Sequence, residues 1–197
     1  MKVLAFDPDS TNTGWAHVEL TIEGEVNLLA AGVIQSSKKL IGDDGLRAHL
    51  KAIREAAPEL PSDYDILAVE TQYKMGSGKG ADSIILIANV SGALFNLNPE
   101  KAVRVSPLLW TKGWGKGGDD EGRQSIILRA FKTTTAKVAE LVGCKPSDAN
   151  HTIDGMGIGR WLCLNWSKAA WKNRDVSKPR KKSTARKFGS SNYPRKN

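Results

Sequence analysis

Three acidic residues and a histidine in this 197-residue chain have the types and positions of a metal-binding cluster. Asp7 directly follows the apolar residues 3–6, and Glu70 ends the apolar run YDILAVE. The segment DANHTIDGMG places His151 and Asp154 three residues apart, so the two side chains share one face of a helix. Carboxylates packed together repel one another and raise each other's pKa values unless cations neutralise them.

The chemistry that suits such a cluster is oxygen coordination of a hard divalent cation. Carboxylate-rich sites favour Mg²⁺ or Mn²⁺. Two such ions ~3.5–4 Å apart can activate a water molecule and stabilise the leaving oxygen of a phosphodiester. The imidazole of His151 can bind one ion or handle the proton of the attacking water. We therefore predict that Asp7, Glu70, His151 and Asp154 bind two metal ions and act in catalysis.

The elements that must position these residues follow from the hydrophobic pattern. Residues 2–7, 14–22 and 26–35 are predicted to form three antiparallel strands, because only short connections join them. The later predicted elements are a helix that Asp43 or Asp44 caps and that Pro58 and Pro61 end, strands over 64–69 and 101–106, helices over 81–97, 121–131 and 135–142, a short helical turn from Pro107, and a last helix from about Ser147 to Leu164.

This order of elements predicts an α/β fold with a mixed five-stranded sheet, in which two parallel strands extend the antiparallel three, flanked by helices. If the strands that end in Asp7 and Glu70 are parallel neighbours, the two carboxylates meet at one edge of the sheet. Open α/β sheets bind their ligands at that edge.

The predicted last helix contains three glycines, Gly155, Gly157 and Gly159. Each glycine costs a helix roughly 1 kcal/mol relative to alanine, so a close approach of this helix to the sheet is expected to compensate. Ser147 and Asp148 are predicted to cap the helix, and a metal-binding role for Asp148 stays open.

Positive charge is concentrated at the end of the chain. The formal net charge is +8, yet residues 172–197 hold ten Lys or Arg against one acid, and residues 1–171 hold 19 basic and 20 acidic residues. We predict a folded domain over residues 1–166 and a basic, disordered tail over residues 167–197. The tail is interpreted as a polybasic arm for phosphate backbones, and a purely solubilising end is the alternative.

Several classes of protein do not fit the composition. Two cysteines, Cys144 and Cys163, offer neither a disulfide framework nor a CxxC metal spacing. The apolar residues before Asp7 are too few for a signal peptide, and no apolar run approaches the ~20 residues of a membrane span. We expect a cytoplasmic protein without a membrane partner, associated with the nucleoid or, if viral, acting in the cytoplasm of the host cell.

Three motifs, taken in order, resemble those of a known family. FDPDSTNTGWA resembles the first-strand motif, LAVETQY the second motif, and HTIDG the helix motif of the RuvC family of Holliday junction resolvases, in the RNase H-like superfamily. The resemblance covers roughly residues 1–165, is of the His-x-x-Asp type, and is strongest to small viral or bacterial members. Asp9 stands where the family usually has glycine, a departure that we do not expect to affect Asp7.

The resemblance implies an RNase H-like fold and a metal-dependent endodeoxyribonuclease. It implies a homodimer that nicks two strands of branched DNA symmetrically, with water as the nucleophile and no small-molecule substrate. The helix over residues 81–97 is then either core or the two-fold interface. Lys112 and Arg123 match two basic residues that assist cleavage, although the second is usually Lys and Lys116 is an alternative. Expected DNA contacts are the base-stacking Tyr73, the loop lysines Lys74, Lys79 and Lys116, and Arg180, Lys181 and Lys182 of the tail.

Other interpretations remain at this stage. Asp7 alone would more often bond turn amides, and Glu70 alone would more often be a solvated strand end. A nuclease of the same fold that cuts flaps or RNA–DNA hybrids is one alternative, and a non-catalytic structural DNA-binding protein is another. An actin-like or sugar-kinase-like phosphotransferase is disfavoured, because it would need a second phosphate loop and a second half of comparable size.

Overall fold

A mixed five-stranded sheet is built outward from its central strand, β1 (Lys2–Pro8). On one side lie β2 (Asn12–Leu20) and then β3 (Val26–Gln35), each antiparallel to its neighbour. On the other side lie β4 (Ile66–Glu70) and then β5 (Ala102–Val105), both in parallel pairings. The strand order β3-β2-β1-β4-β5 confirms the predicted fold class.

The computed structural model describes residues 1–9, 12–71, 81–114 and 120–166. The predicted tail over residues 167–197 therefore lies outside the described residues. The helices are α1 (Gly42–Ala56), α2 (Ala81–Phe95), α3 (Pro107–Trp110), α4 (Asp120–Ala130), α5 (Thr135–Val142) and α6 (Asn150–Asn165), with short 3₁₀ helices at Ala57–Glu59, Thr111–Trp114 and Pro146–Asp148. None of the helices in this part of the chain combines the length and the apolar character that a bilayer span requires.

The predicted cap of α1 is wrong. Its N-cap is Ile41, whose carbonyl accepts the first intrahelical bond from the Gly45 amide, and no side chain caps the helix. Asp43 and Asp44 lie two and three positions further on, in the first turn. There they pair with Arg47 and face the positive end of the helix dipole.

The predicted cap of α6 is wrong for a different reason. Pro146 begins a separate 3₁₀ turn that includes Ser147 and Asp148, so both residues precede the helix. The N-cap is Ala149, and its carbonyl accepts from the amide of Ile153 at 3.0 Å. The Ser147 hydroxyl donates to Asp148 at 3.1 Å instead of capping α6.

The sheet separates two layers of helices because side chains alternate along each strand. Leu4 and Phe6 of β1 point to the core that α1 and α2 cover. Val3 and Ala5 point to the opposite core, which α3, α4, α5 and α6 cover. Asp7 continues the second set and therefore faces the α6 layer.

The predicted close approach of α6 to the sheet is confirmed, but its glycines do not all face the sheet. A Cβ on Gly159 would lie 2.8 Å from Val18 of β2, so this glycine packs against the sheet. A Cβ on Gly157 would lie 2.6 Å from Ile127 of α4, so this glycine makes room for a neighbouring helix. Gly14 of β2 makes the closest approach, since a Cβ there would overlap the backbone at the start of α6.

We predict that Gly14→Ala lowers the free energy of unfolding by about 1–3 kcal/mol, because the added methyl must push the start of α6 off the sheet. Gly155→Ala is the matched control, since its Cβ would meet only atoms at 3.4 Å or more. Urea denaturation followed by circular dichroism measures both variants. Equal stability of Gly14→Ala and the parent chain would show that α6 does not depend on this contact.

Candidate active site

Parallel pairing of β1 and β4 brings the first two acids together. Phe6 lies opposite Val69, so the next positions, Asp7 and Glu70, are level with each other at the carboxyl edge of the sheet. Both side chains point to the α6 layer, and they are only 6 % and 9 % exposed. A solvated strand end, the alternative considered for Glu70, is therefore not what the structure shows.

The first turns of α6 supply the other two predicted ligands. Nδ1 of His151 lies 2.8 Å from Oδ2 of Asp7. Asp154 is one turn further on, is 9 % exposed, and lies close enough to Asp7 for the two charges to interact. Gly14, the β2 partner of Asp7, allows this placement because a side chain there would occupy the space of the α6 backbone.

A second layer of side chains holds the carboxylates from the α3 and α4 side. Trp110 is 1 % exposed, and its indole Nε1 donates to Oε1 of Glu70 at 3.0 Å. Arg123 pairs with Oδ2 of Asp154 at 3.0 Å, and its guanidinium lies 4.9 Å from the centre of the Trp110 ring. Trp110 therefore contacts one acid directly and supports the cation that neutralises another.

Burial and crowding change the charge states of these groups. Burial, then the hydrogen bond to Asp7 and its negative charge, raise the pKa of Glu70 to about 10. Burial and the charge of Asp7 raise the pKa of Asp154 to about 6, against the opposing effect of Arg123. Burial lowers the pKa of His151, but its hydrogen bonds to Asp7 and Asp9 outweigh this effect and raise the pKa to about 10. At neutral pH, Glu70 therefore keeps its proton and His151 is an imidazolium.

The residues fit a divalent cation by their chemistry, although their present pairing is with each other. In the part of the chain that the structure describes, no three His, Cys, Asp or Glu side chains are arranged as a ready metal site. However, Oδ1 of Asp154 is buried without a hydrogen-bond partner. The His151 imidazole and the Arg123 guanidinium lie against Asp7 and Asp154, and a divalent cation would supply the same kind of positive charge to these acids.

Of the remaining predicted site residues, the structure describes only Lys112. Lys112 is exposed on the 3₁₀ helix Thr111–Trp114, so the structure does not place it among the buried carboxylates. Several predicted DNA contacts lie outside the described residues, namely Tyr73, Lys74, Lys79, Lys116, Arg180, Lys181 and Lys182.

Sequence reasoning missed two residues of this site. Trp110 follows a strand in a short apolar helix, and no spacing in the sequence indicates its contact with Glu70. Asp9 was considered only for its effect on Asp7, but its Oδ2 lies 3.3 Å from Nε2 of His151. A signal for Asp9 was present, because the departure from glycine in the first motif coincides with a histidine in the helix motif.

Comparison with known proteins identifies similar structures but no similar sequence. No protein-family model matches the chain, and no curated protein matches it by sequence. A structure of Thermus thermophilus RuvC has a TM-score of 0.60 at 14 % identity, covering 86 % of this chain and 98 % of that chain. The same protein in complex with Holliday junction substrate has a TM-score of 0.59 at 14 % identity, covering 86 % and 96 %.

A third similar structure comes from a eukaryotic organelle. The yeast mitochondrial Holliday junction resolvase Ydc2 has a TM-score of 0.52 at 13 % identity, and the match covers 84 % of each chain. This chain has the RuvC fold. The RuvC-like fold expected from the three sequence motifs is thereby confirmed over most of the chain.

We predict that Trp110→Phe raises the pKa of Glu70 further, because the indole N–H stabilises the ionised carboxylate and phenylalanine offers no donor. The phenyl ring retains most of the packing. Carboxyl ¹³C chemical shifts followed against pH measure the change. Trp15→Phe is the control, since Trp15 packs in the core on the opposite side of the sheet. An unchanged Glu70 titration in Trp110→Phe would refute a role of the indole in the charge state of this acid.

Proposed function

We propose that this chain is a metal-dependent endonuclease that resolves Holliday junctions or similar branched DNA by phosphodiester hydrolysis. The observation that supports this best is the position of the buried Asp7, Glu70 and Asp154, with the half-buried His151 beside them, at the carboxyl edge of a RuvC-type sheet. A similar structure of RuvC is in complex with Holliday junction substrate. Phosphodiester cleavage is the reaction that a carboxylate-rich site of this kind serves best.

The proposed ligands of two Mg²⁺ or Mn²⁺ ions are Asp7, Glu70, Asp154 and His151. When bound, such ions lower the pKa of a water molecule and stabilise the leaving oxygen of the phosphodiester. Asp7 is the central ligand because it interacts with each of the other three residues. Glu70 becomes a ligand by releasing the proton that burial and Asp7 now hold on it.

The two cationic side chains of the site have different proposed roles. His151 faces Asp7 through Nδ1 and is 30 % exposed, so its proposed role is that of a metal ligand on the open side of the cluster. The Arg123 guanidinium neutralises Asp154 in the absence of metal and is available to a phosphate oxygen once the carboxylate binds a cation. We propose that Arg123, more than Lys112, assists cleavage, because Arg123 contacts Asp154 whereas Lys112 is exposed on the 3₁₀ helix.

DNA binding outside the catalytic cluster is proposed from charge. Residues 1–171 carry about as many acids as bases, so the folded body has little net attraction for a polyanion. Residues 172–197 add ten basic side chains against one acid. We propose that this segment, with Arg180, Lys181 and Lys182, attaches the protein to phosphate backbones of any sequence, while the folded body selects branched DNA.

A homodimer is proposed because two strands must be cut at a junction with near two-fold symmetry. Helix α2 offers a suitable face on the outside of the fold. Ile85 is 58 % exposed there, and Ala88 and Asn89 are exposed beside it at helical spacing. We propose this face as the two-fold contact that the family resemblance implies for this helix.

We predict that Asp7→Asn, Glu70→Gln and Asp154→Asn each reduce cleavage of a four-way junction in Mg²⁺ by orders of magnitude. Each variant loses a proposed metal ligand but no phosphate contact, so junction affinity should stay the same or increase. Asp44→Asn is the matched control, because Asp44 is an exposed acid on α1. Gel assays of cleavage and binding measure both properties, and full cleavage by any one of the three variants would contradict the site assignment.

We predict that Ile85→Glu converts the dimer to a monomer, because it introduces like charges on both sides of a two-fold contact. Light scattering measures the molar mass of the protein in solution. A junction labelled on two strands shows whether both strands of one junction are still nicked together. Leu141→Glu on α5 is the control, since Leu141 has a similar exposed fraction of 59 %. A parent chain that is already monomeric, or an Ile85→Glu variant that remains dimeric, would place the interface elsewhere.

A further inference from the structure

The imidazole of His151 lies between two carboxylates that have different surroundings. Nδ1 faces Oδ2 of Asp7 at 2.8 Å, and the side chain of Asp7 is 8 % exposed. Nε2 faces Oδ2 of Asp9 at 3.3 Å, and the side chain of Asp9 is 35 % exposed. One ring nitrogen therefore faces the buried acids, whereas the other faces an acid near the surface.

Asp9 is held in this position by the turn between β1 and β2. The backbone amide of Asp9 donates to the carbonyl of Asn12 at 2.9 Å. This hydrogen bond ties Asp9, two residues after Asp7, to the first residue of β2. The side chain therefore meets His151 from the hairpin side, while α6 carries the ring on the other side. The contact between Asp9 and His151 therefore depends both on the β1–β2 connection and on the position of α6.

An imidazole that binds a metal ion does so through a nitrogen that carries no proton. The other ring nitrogen then carries the proton, and the group that accepts its hydrogen bond determines the tautomer and the orientation of the ring. Asp9 is placed to accept from Nε2. That arrangement leaves Nδ1, which faces Asp7 and the buried acids, as the nitrogen available to a metal ion.

We propose that Asp9 is a positioning residue that holds His151 in the tautomer with the proton on Nε2 and so presents Nδ1 to the metal site. The inference rests on the proposed function only in assuming that the cluster binds Mg²⁺ or Mn²⁺. Asp9 acts through the histidine and does not itself contact the metal or the substrate.

The first test measures metal affinity without DNA. Asp9→Ala should weaken Mn²⁺ binding 10–100-fold in isothermal titration calorimetry, which is the usual effect of removing the partner of a ligating histidine. Asp9→Asn should lose less, because the amide oxygen still accepts from Nε2. Glu19→Gln is the matched control, since it removes one acid from the far end of the same hairpin, where Glu19 is level with Lys2. Unchanged Mn²⁺ affinity in Asp9→Ala overturns the proposal.

A second test asks whether Asp9 acts through His151. In a His151→Asp background, which has no imidazole to orient, Asp9→Ala should change Mn²⁺ affinity by less than 3-fold. A loss in that background as large as in the parent chain would overturn the proposal, because Asp9 would then act on the site directly. Long-range ¹H–¹⁵N spectra with Mg²⁺ should show the proton on Nε2 in the parent chain and a mixture of tautomers in Asp9→Ala, with His17 and His49 as internal references.

These measurements separate the inference from the proposed function. If the parent chain binds Mn²⁺ but cuts no branched DNA, the nuclease proposal fails and the Asp9 tests still apply. If the parent chain cuts junctions while Asp9→Ala binds Mn²⁺ normally and keeps a single Nε2–H tautomer, only the inference about Asp9 fails.

Discussion

Mutual repulsion among buried carboxylates is the constraint on which the rest of this structure depends. Asp7, Glu70 and Asp154 are each less than a tenth exposed and lie close enough for their charges to interact. Three ionised carboxylates in that volume would oppose folding. The raised pKa of Glu70 offsets part of this repulsion, and the cationic side chains of His151 and Arg123 offset more because they lie against Asp7 and Asp154. A cluster of carboxylates that attracts this much positive charge is well suited to divalent cations.

The cluster exists because two features of the fold coincide. Parallel pairing of β1 and β4 in a level register puts Asp7 and Glu70 side by side, and the two-residue period of the strands turns both toward α6. Gly14 then lets the first turn of α6 lie directly on β2, which brings His151 and Asp154 to the same point. Neither the sheet nor the helix alone would assemble the four side chains.

The parts of this arrangement that follow from local pattern could be predicted from the sequence. The apolar runs that end in Asp7 and Glu70 indicate strand ends from the sequence alone. The three-residue spacing of His151 and Asp154 indicates one face of a helix. Glycines in the last helix indicated a close approach. The helix caps could not be predicted in the same way, because a single hydrogen bond to the Ile41 or Ala149 carbonyl decides where each helix begins.

The residues that the sequence did not reveal act across long separations in the chain. Trp110 reaches Glu70 across 40 positions, and Asp9, near the start of the chain, meets His151 of α6. No periodicity connects such pairs, so only the packing of α3 and α6 on the sheet shows them. Trp110 contributes an indole N–H, so the carboxylate and imidazole side chains that indicate a metal site do not point to it.

We propose that this cluster cuts paired strands of branched DNA. The most direct measurement is the cleavage of a supercoiled plasmid that extrudes a cruciform, beside the same plasmid without the inverted repeat, in Mg²⁺ or Mn²⁺. The account predicts linear product, with nicks placed symmetrically at the base of the cruciform, and no cutting of the control plasmid. Equal cutting of both plasmids, or no cutting of either in the presence of metal, would contradict it.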